Sequence, residues 1–218
     1  IMTLEDPVEY SITGITQTQI NNRVGFTFAT GLRSVLRADP DIIMVGEIRD
    51  TETANLAVHA ALTGHLVLTS LHTTSAVGTV TRLLDMGIEP FLLAAALIGI
   101  VSQRLVRLLC PNCREAYILS GNACQNLGLT GEPGRFFYRS KGCHLCRGTG
   151  YRGRLAIQEV MVVDRQIKSL ILQGAAEPEI EAYAINGGMV SLMEDGLGKA
   201  GRGLTTIEEV LKTLCLNP

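Results

Sequence analysis

Two cysteine pairs and a set of carboxylates at the ends of apolar runs are the residues here with most chemistry in them. Cys110-Pro111-Asn112-Cys113 and Cys143-His144-Leu145-Cys146 are Cys-x-x-Cys knuckles, with residues 114–142 between them. Each knuckle can turn two thiolates toward one metal, and two knuckles complete the tetrahedron that structural Zn²⁺ prefers. Four thiolates leave no open coordination position, so the expected role is structural rather than catalytic. The interval exceeds that of an ordinary zinc ribbon, which makes 114–142 a small subdomain stapled at its base. Disulfides or a redox dithiol would use the same residues. With no export signal in the sequence, a reducing compartment and a metal are the expectation. Cys124 and Cys215 stand apart and read as packing residues.

The carboxylates centre on Ala38-Asp39-Pro40-Asp41-Ile42-Ile43-Met44-Val45-Gly46-Glu47-Ile48-Arg49-Asp50. Ile42 to Val45 is a short apolar run entered from an Asp-Pro-Asp turn, the pattern of a parallel strand buried on both faces. Glu47 then falls at the strand's carboxyl end, where α/β sheets bind ligands. Nucleotide-hydrolysing enzymes use such an acid to hold Mg²⁺ or to position water; the alternative is a solvated turn. Glu5, Asp6 and Glu9 crowd three carboxylates around Pro7 at the end of another strand, Ile1 to Tyr10. Their mutual repulsion calls for a cation such as a metal-bound phosphate, or else marks an acidic surface turn. Arg33 and Arg37, four apart on one helix face, could clamp phosphate oxygens or simply be solvated. His65 and His72 bracket a further strand and lie too far apart along it to share one metal.

The elements that must place these residues follow from the pattern. Ile15–Ile20 reads as a short exposed strand. Thr27–Arg37 is a helix with Thr27 as N-cap, stopped by Asp39-Pro40. Thr51–Leu62 is a helix begun by Asp50, and Leu66–Leu71 a buried strand. Strand, helix and strand over 42–71 form a βαβ unit and hence a parallel sheet. Val77–Met86 is helical. Pro90 opens a longer helix through Leu109, whose last turns carry Arg104 and Arg107, where the dipole favours cations. Gly148–Arg154 is a glycine-rich turn presenting Arg152 and Arg154, followed by a strand over Leu155–Met161. Helices over 165–173, 177–186, 191–200 and 206–214 make a C-terminal lobe, and Thr205-Thr206-Ile207-Glu208-Glu209 at the start of the last resembles a capping box.

Composition excludes several classes. Hydrophobic residues are 46% and charged residues 18% of the 218, as in an ordered globular protein. The net charge of −2 gives no global field for nucleic acid or anionic membrane. Phe91–Val101, the longest apolar stretch, is about half of the ~20 residues that a membrane span needs. The opening directly on strand-like Ile1-Met2-Thr3-Leu4 gives the expectation of a fragment of a longer protein. No Gly-x-x-x-x-Gly-Lys-Ser/Thr phosphate loop occurs. Of Lys141, Lys168, Lys199 and Lys212, only Lys199 follows a glycine, and Ala200 stands where the hydroxyl belongs.

Taken together, these segments resemble the C-terminal ATPase region of the type II secretion and type IV pilus assembly ATPases, over essentially all 218 residues. Leu4-Glu5-Asp6-Pro7-Val8-Glu9-Tyr10 resembles that family's Asp box. Gly46-Glu47-Ile48-Arg49-Asp50 is similar to its atypical Walker B, and Thr63-Gly64-His65 through His72-Thr73 to its His box. The paired knuckles resemble the tetracysteine motif of the assembly and secretion members, which the retraction motors lack. The resemblance implies a RecA-like α/β fold with a mostly parallel sheet and flanking helices. It divides the chain into residues 1–109 as part of the ATPase core, 110–154 as the zinc subdomain and 155–218 as a final strand with a helical lobe.

The same resemblance implies ATP, Mg²⁺ and Zn²⁺ as cofactors. Glu47 would be the Walker B acid. Glu5 and Glu9 would orient water and metal, supported by Asp6. Arg33, Arg37 and Arg49 would surround the phosphates, Arg82 and Arg154 would join within or between subunits, and His65 and His72 would sense the γ-phosphate. Thr69 and Ser70 offer hydroxyls that could also act as sensors. A homohexameric motor is implied, cytoplasmic and peripheral to the inner membrane. Its partners would be an inner-membrane platform and cytoplasmic recruiting proteins. In the family the phosphate loop precedes the Asp box, so this chain alone is expected to bind ATP poorly and not to turn it over. A helicase-like nucleic-acid translocase and a non-enzymatic zinc adaptor are the competing readings. Few aromatics accompany the basic residues, which disfavours a single-strand groove.

Overall fold

A computed structural model describes residues 1–120, 127 and 136–215. The short apolar runs pair as a four-stranded sheet of β1 (Met2–Glu5), β2 (Thr16–Gln19), β3 (Ile42–Val45) and β4 (Leu66–Thr69), in the order β2-β1-β3-β4. Every pairing is parallel, in the registers Met2↔Thr16, Met2↔Ile43 and Ile42↔Leu66. The expected α/β architecture with a parallel sheet is therefore present.

Helices connect and cover these strands: α1 (Phe28–Leu36), α2 (Thr51–Leu62), α3 (Ala76–Asp85) and α4 (Pro90–Ala96). Their starts follow from capping chemistry. Thr27 and Thr30 form a reciprocal capping box on α1, and Asp50 accepts the Thr53 amide at 2.7 Å to cap α2. Leu4, Leu32, Ile43, Val45 and Ala54 are buried between sheet and helices.

The chain divides into two compact units, residues 1–100 with 161–184, and 101–160 with 185–218. The first holds the parallel sheet, α1–α4 and α5 (Arg165–Gln173). In the second, β6 (Arg114–Ile118) and β7 (Phe136–Ser140) form an antiparallel pair. α7 (Leu192–Gly201) and α8 (Ile207–Cys215) close a core of Phe137, Leu197, Ala200 and Ile207 in that unit. β5 (Gly99–Leu109), β8 (Tyr151–Val162) and α6 (Glu177–Asn186) run across the division. Cys124 lies outside the described residues.

Several expectations are corrected. The single helix over 90–109 is instead α4 followed by β5. Ile100, Ser102 and Val106 are buried while Val101, Gln103 and Leu105 are exposed, a period of two set by pairing with β8. Arg104 and Arg107 therefore lie on a strand, and no helix dipole acts on them. Arg107 instead forms a two-pronged ion pair with Glu209 and stacks on Tyr151, 4.0 Å from the ring centre. Within the stretch Thr205–Glu209 that resembles a capping box, the Glu209 amide donates to Thr206 Oγ1, while its carboxylate goes to Arg107.

β4, expected to be buried, is an edge strand with Leu66 41% and Leu68 50% exposed, since among the described residues nothing pairs beyond it. The glycine-rich turn is also shorter than expected. Tyr151 to Arg154 already belong to β8, so Arg152 and Arg154 are strand residues.

Candidate functional site

Parallel pairing carries the carboxyl ends of β1 and β3 to the same edge of the sheet. Leu4 stands opposite Val45, so Glu5 closes one strand beside the Gly46-Glu47 end of the other. Gly46 makes the approach close: its amide donates to the Leu4 carbonyl at 2.8 Å. A Cβ there would stand only 3.0 Å from that same oxygen, so a side chain would wedge the strand tips apart. β4 fixes the other side. Ser70 Oγ donates to the Gly46 carbonyl at 2.7 Å, and the Ile48 amide donates to the Ser70 carbonyl at 3.1 Å. Glu47 is thus gripped on both flanks by one serine, which the sequence had offered only as a sensor.

The Glu47 carboxylate is bonded on both oxygens. Arg49 donates to Oε1 at 2.5 Å, and His72 Nε2 lies 3.2 Å from Oε2. Arg49 chiefly, and His72 after it, hold this carboxyl below the ordinary carboxylate range, against partial burial that pulls the other way. Arg49 is raised in turn by Glu47. At neutral pH the acid is therefore ionised, the state a proton acceptor needs. Arg49 also feels the charge of Asp6, which links the two acidic strand ends electrostatically.

Glu5 is half-buried and directed by its neighbours. Its Oε1 accepts from Thr3 Oγ1 at 2.5 Å and from Gln17 Nε2 at 2.9 Å. Asp6 and Glu9 are exposed in the loop that follows. Other candidate residues lie apart from this centre. Arg33 pairs with Glu52 of α2 at 2.5 Å, and Arg37, at the C-cap of α1, reaches Ser34 at 3.4 Å. His65 stands at the opposite end of β4, its Nδ1 3.0 Å from the Ala60 carbonyl. Arg82 is exposed near the end of α3, and Arg154 is exposed on β8 in the second unit.

The second unit contains the four cysteines that could hold a metal. Ligand atoms of Cys110, Cys113, Cys143 and Cys146 all lie within 4.8 Å of one another. The Sγ separations are 4.0 Å for Cys110–Cys143, 3.8 Å for Cys113–Cys146 and 3.7 Å for Cys143–Cys146. Tetrahedral zinc with bonds of ~2.3 Å places its ligands about 3.8 Å apart, so the cage fits that ion. Backbone amides of Cys143 and Gly150 donate to Cys146 Sγ at 3.2 and 3.1 Å, and the Asn112 amide donates to Cys143 Sγ at 3.4 Å. Such donors favour thiolate over thiol. The Asn112 contact leads in lowering Cys143 to about 6, whereas burial drives Cys113 up to about 12.

The chain is similar to known proteins over nearly its whole length. Residues 1–212 match the family described as type II/IV secretion system protein. Type II secretion system protein E of Pseudomonas aeruginosa is 51% identical over 212 residues, covering 97% of this chain and 42% of that protein. The type IV pilus assembly ATPase PilB of Thermus thermophilus is 54% identical over 211 residues, 96% of this chain and 24% of that protein. The chain thus spans well under half the length of these relatives. Among solved structures, the pilus retraction motor PilT with bound ADP superposes with a TM-score of 0.68 at 27% identity, over 98% of this chain and 52% of that one. The ATPase DotB of Legionella pneumophila, with a TM-score of 0.66 at 22% identity, shares the fold. With acids aligned at the tips of adjacent parallel strands, a four-cysteine cage and a family match over nearly its whole length, this chain belongs to the type II/IV secretion system protein family.

Proposed function

We propose that this chain is the catalytic-acid half of an ATP-hydrolysing motor that drives type II protein secretion or type IV pilus assembly. The observation that carries the reading is Glu47, ionised and clasped at the end of β3 beside Glu5 at the end of β1. A Mg²⁺-bound ATP, when present, supplies the electrophilic phosphorus and the positive charge that an all-carboxylate donor set requires.

In this reading Glu47 accepts a proton from the attacking water as Arg49 swings toward the phosphates. Glu5 and Glu9, backed by Asp6, orient that water and the metal. His72, already on Glu47, reports the γ-phosphate, and His65 joins from the far end of the strand. Arg33, Arg37, Arg82 and Arg154 contribute phosphate contacts within or between subunits. A Zn²⁺ held by Cys110, Cys113, Cys143 and Cys146 braces the subdomain over 110–154. The open edge of β4 gives the full-length protein a place to add a further strand.

The assembly proposed is a homohexamer, cytoplasmic and docked on an inner-membrane platform together with recruiting proteins. Among the described residues no helix is long and apolar enough to cross a membrane, in keeping with peripheral association. The test is Glu47→Gln in the full-length protein. Loss of a general base lowers turnover by about 10²–10⁴-fold, while ATP affinity stays near that of the parent. Parental turnover by the variant would remove Glu47 as the catalytic base; a parent protein that hydrolyses no ATP, with its function unchanged in the variant, would end the motor reading in favour of an adaptor.

A further inference from the structure

The strand β2 carries a side chain that reaches three points of the acidic end of β1. Gln17 stands opposite Thr3 in the parallel pair. Its Nε2 donates to Glu5 Oε1 at 2.9 Å and to the Tyr10 carbonyl at 2.9 Å, and its Oε1 accepts from the Ile12 amide at 2.7 Å. The orientation of the amide is unambiguous, because a carboxylate and a carbonyl can only accept while a backbone N–H can only donate. Both amide hydrogens and the amide oxygen are thus engaged.

Two consequences follow for the carboxylates. Glu5 Oε1 is occupied by Gln17 on one side and by the buried Thr3 hydroxyl on the other. Among the described residues no hydrogen-bond partner meets Oε2, so that is the oxygen Glu5 presents. The Tyr10 and Ile12 contacts meanwhile pin the return of the loop carrying Asp6 and Glu9. Gln19, two residues along the strand, adds a weaker tie at 3.4 Å to the Val8 amide. One neutral side chain therefore sets the aim of Glu5 and the path of the acids beyond it, without adding a charge that would compete with a metal.

We infer that Gln17 is a positioning residue for Glu5. This rests on the reading of Glu5 given above: Gln17 turns Oε2 toward the water and metal. Removing a partner that orients a metal- or water-directing ligand typically costs about 10–100-fold in activity. Because Gln17 touches neither nucleotide nor water in this account, its loss acts on kcat rather than on ATP binding.

The experiment uses the full-length protein and compares Gln17→Met, Gln17→Glu, Glu5→Gln and the Gln17→Met/Glu5→Gln double variant. Steady-state ATP hydrolysis and thermal melting are read for each. Gln17→Met is expected to lower kcat about tenfold, leave KM for ATP within about twofold, and cause no further loss once Glu5 is Gln. If Gln17→Met melts early, Gln17→Glu serves instead. It keeps an acceptor for the Ile12 amide but has no amide hydrogens for Glu5, so the same drop in kcat is expected. Glu5→Gln inactive with Gln17→Met and Gln17→Glu at parental kcat overturns the role of Gln17 alone. So does a Gln17→Met loss that persists undiminished in the Glu5→Gln background, which assigns Gln17 to loop stability. Full turnover by Glu5→Gln overturns the assignment of Glu5 itself, and the inference with it.

Discussion

Stripping the Zn²⁺ proposed for the four-cysteine cage should destabilise the part of the chain built around it. The Sγ separations of 3.7–4.0 Å match the ~3.8 Å edge of a zinc–thiolate tetrahedron. The ion therefore enters without rearrangement, and its binding energy appears as folding energy. If free zinc stands at about 1,000 times its dissociation constant, stripping it costs about 4 kcal/mol. For a chain of this size each kcal/mol moves the melting temperature by roughly 2–4 °C, so a drop of roughly 8–16 °C is expected. Cys146→Ala should reproduce the drop, because Cys146 Sγ is buried and receives two backbone amides that would lose their acceptor. The assay is circular-dichroism melting of the chain before and after dialysis against a zinc chelator, with zinc content measured in parallel and zinc then restored. A preparation containing about one zinc per chain, whose melting temperature does not move on stripping, would refute the reasoning. So would a stable preparation that never held zinc.

Two further outcomes concern the second unit. Glu209 is held below the ordinary carboxylate range chiefly by its bonds to Arg107. A depressed carboxyl stabilises the fold above its unfolded value and loses that contribution as pH falls through the folded one. Glu209→Gln should therefore cost about 1.5–3 kcal/mol near neutrality. Its melting-temperature gap to the parent should begin to narrow below about pH 4.5 and close as pH falls through the lower folded value; a gap independent of pH would contradict the pairing. Gly196→Ala places a methyl 2.6 Å from Val210 Cγ1 and 3.2 Å from its Cγ2, where Val210 is fully buried. The overpacking cost of about 1–3 kcal/mol outweighs a helix-propensity gain of about 1 kcal/mol. A lower melting temperature is thus expected, and a higher one would show that α7 and α8 can separate there without cost.

Much of the candidate site was legible because its signals are local. The knuckles carry their ligand geometry in their own spacing, and the four Sγ atoms meet as that spacing implied. Asp50 and Thr27 announce helix starts through hydrogen bonds made within one turn. The β-branched run Ile42–Val45 needed a parallel sheet, and the helix linking it to Leu66 made that pairing the simple one. Boundaries failed where the competing periods are both present in the letters. Residues 99–109 alternate in burial because β8 lies beside them, and apolar content alone could not separate that strand from a continued α4.

The residues left unassigned by sequence are those whose partners lie far along the chain. Gln17 meets Glu5 through the β1–β2 register, Ser70 meets Gly46 through the β3–β4 register, and Glu209 reaches Arg107 across some hundred positions. The residue types alone announced which chemistry is present, namely strand-end acids, arginines near them and four thiols, together with most of the helices and strands that carry them. Tertiary structure decided which of the acids, arginines and histidines meet. It seated Arg49 and His72 on Glu47 and left Arg33 on Glu52 and His65 on a helix end. Side-chain type and spacing are local properties of the chain, whereas hydrogen bonds between strands depend on a register that only the folded sheet defines.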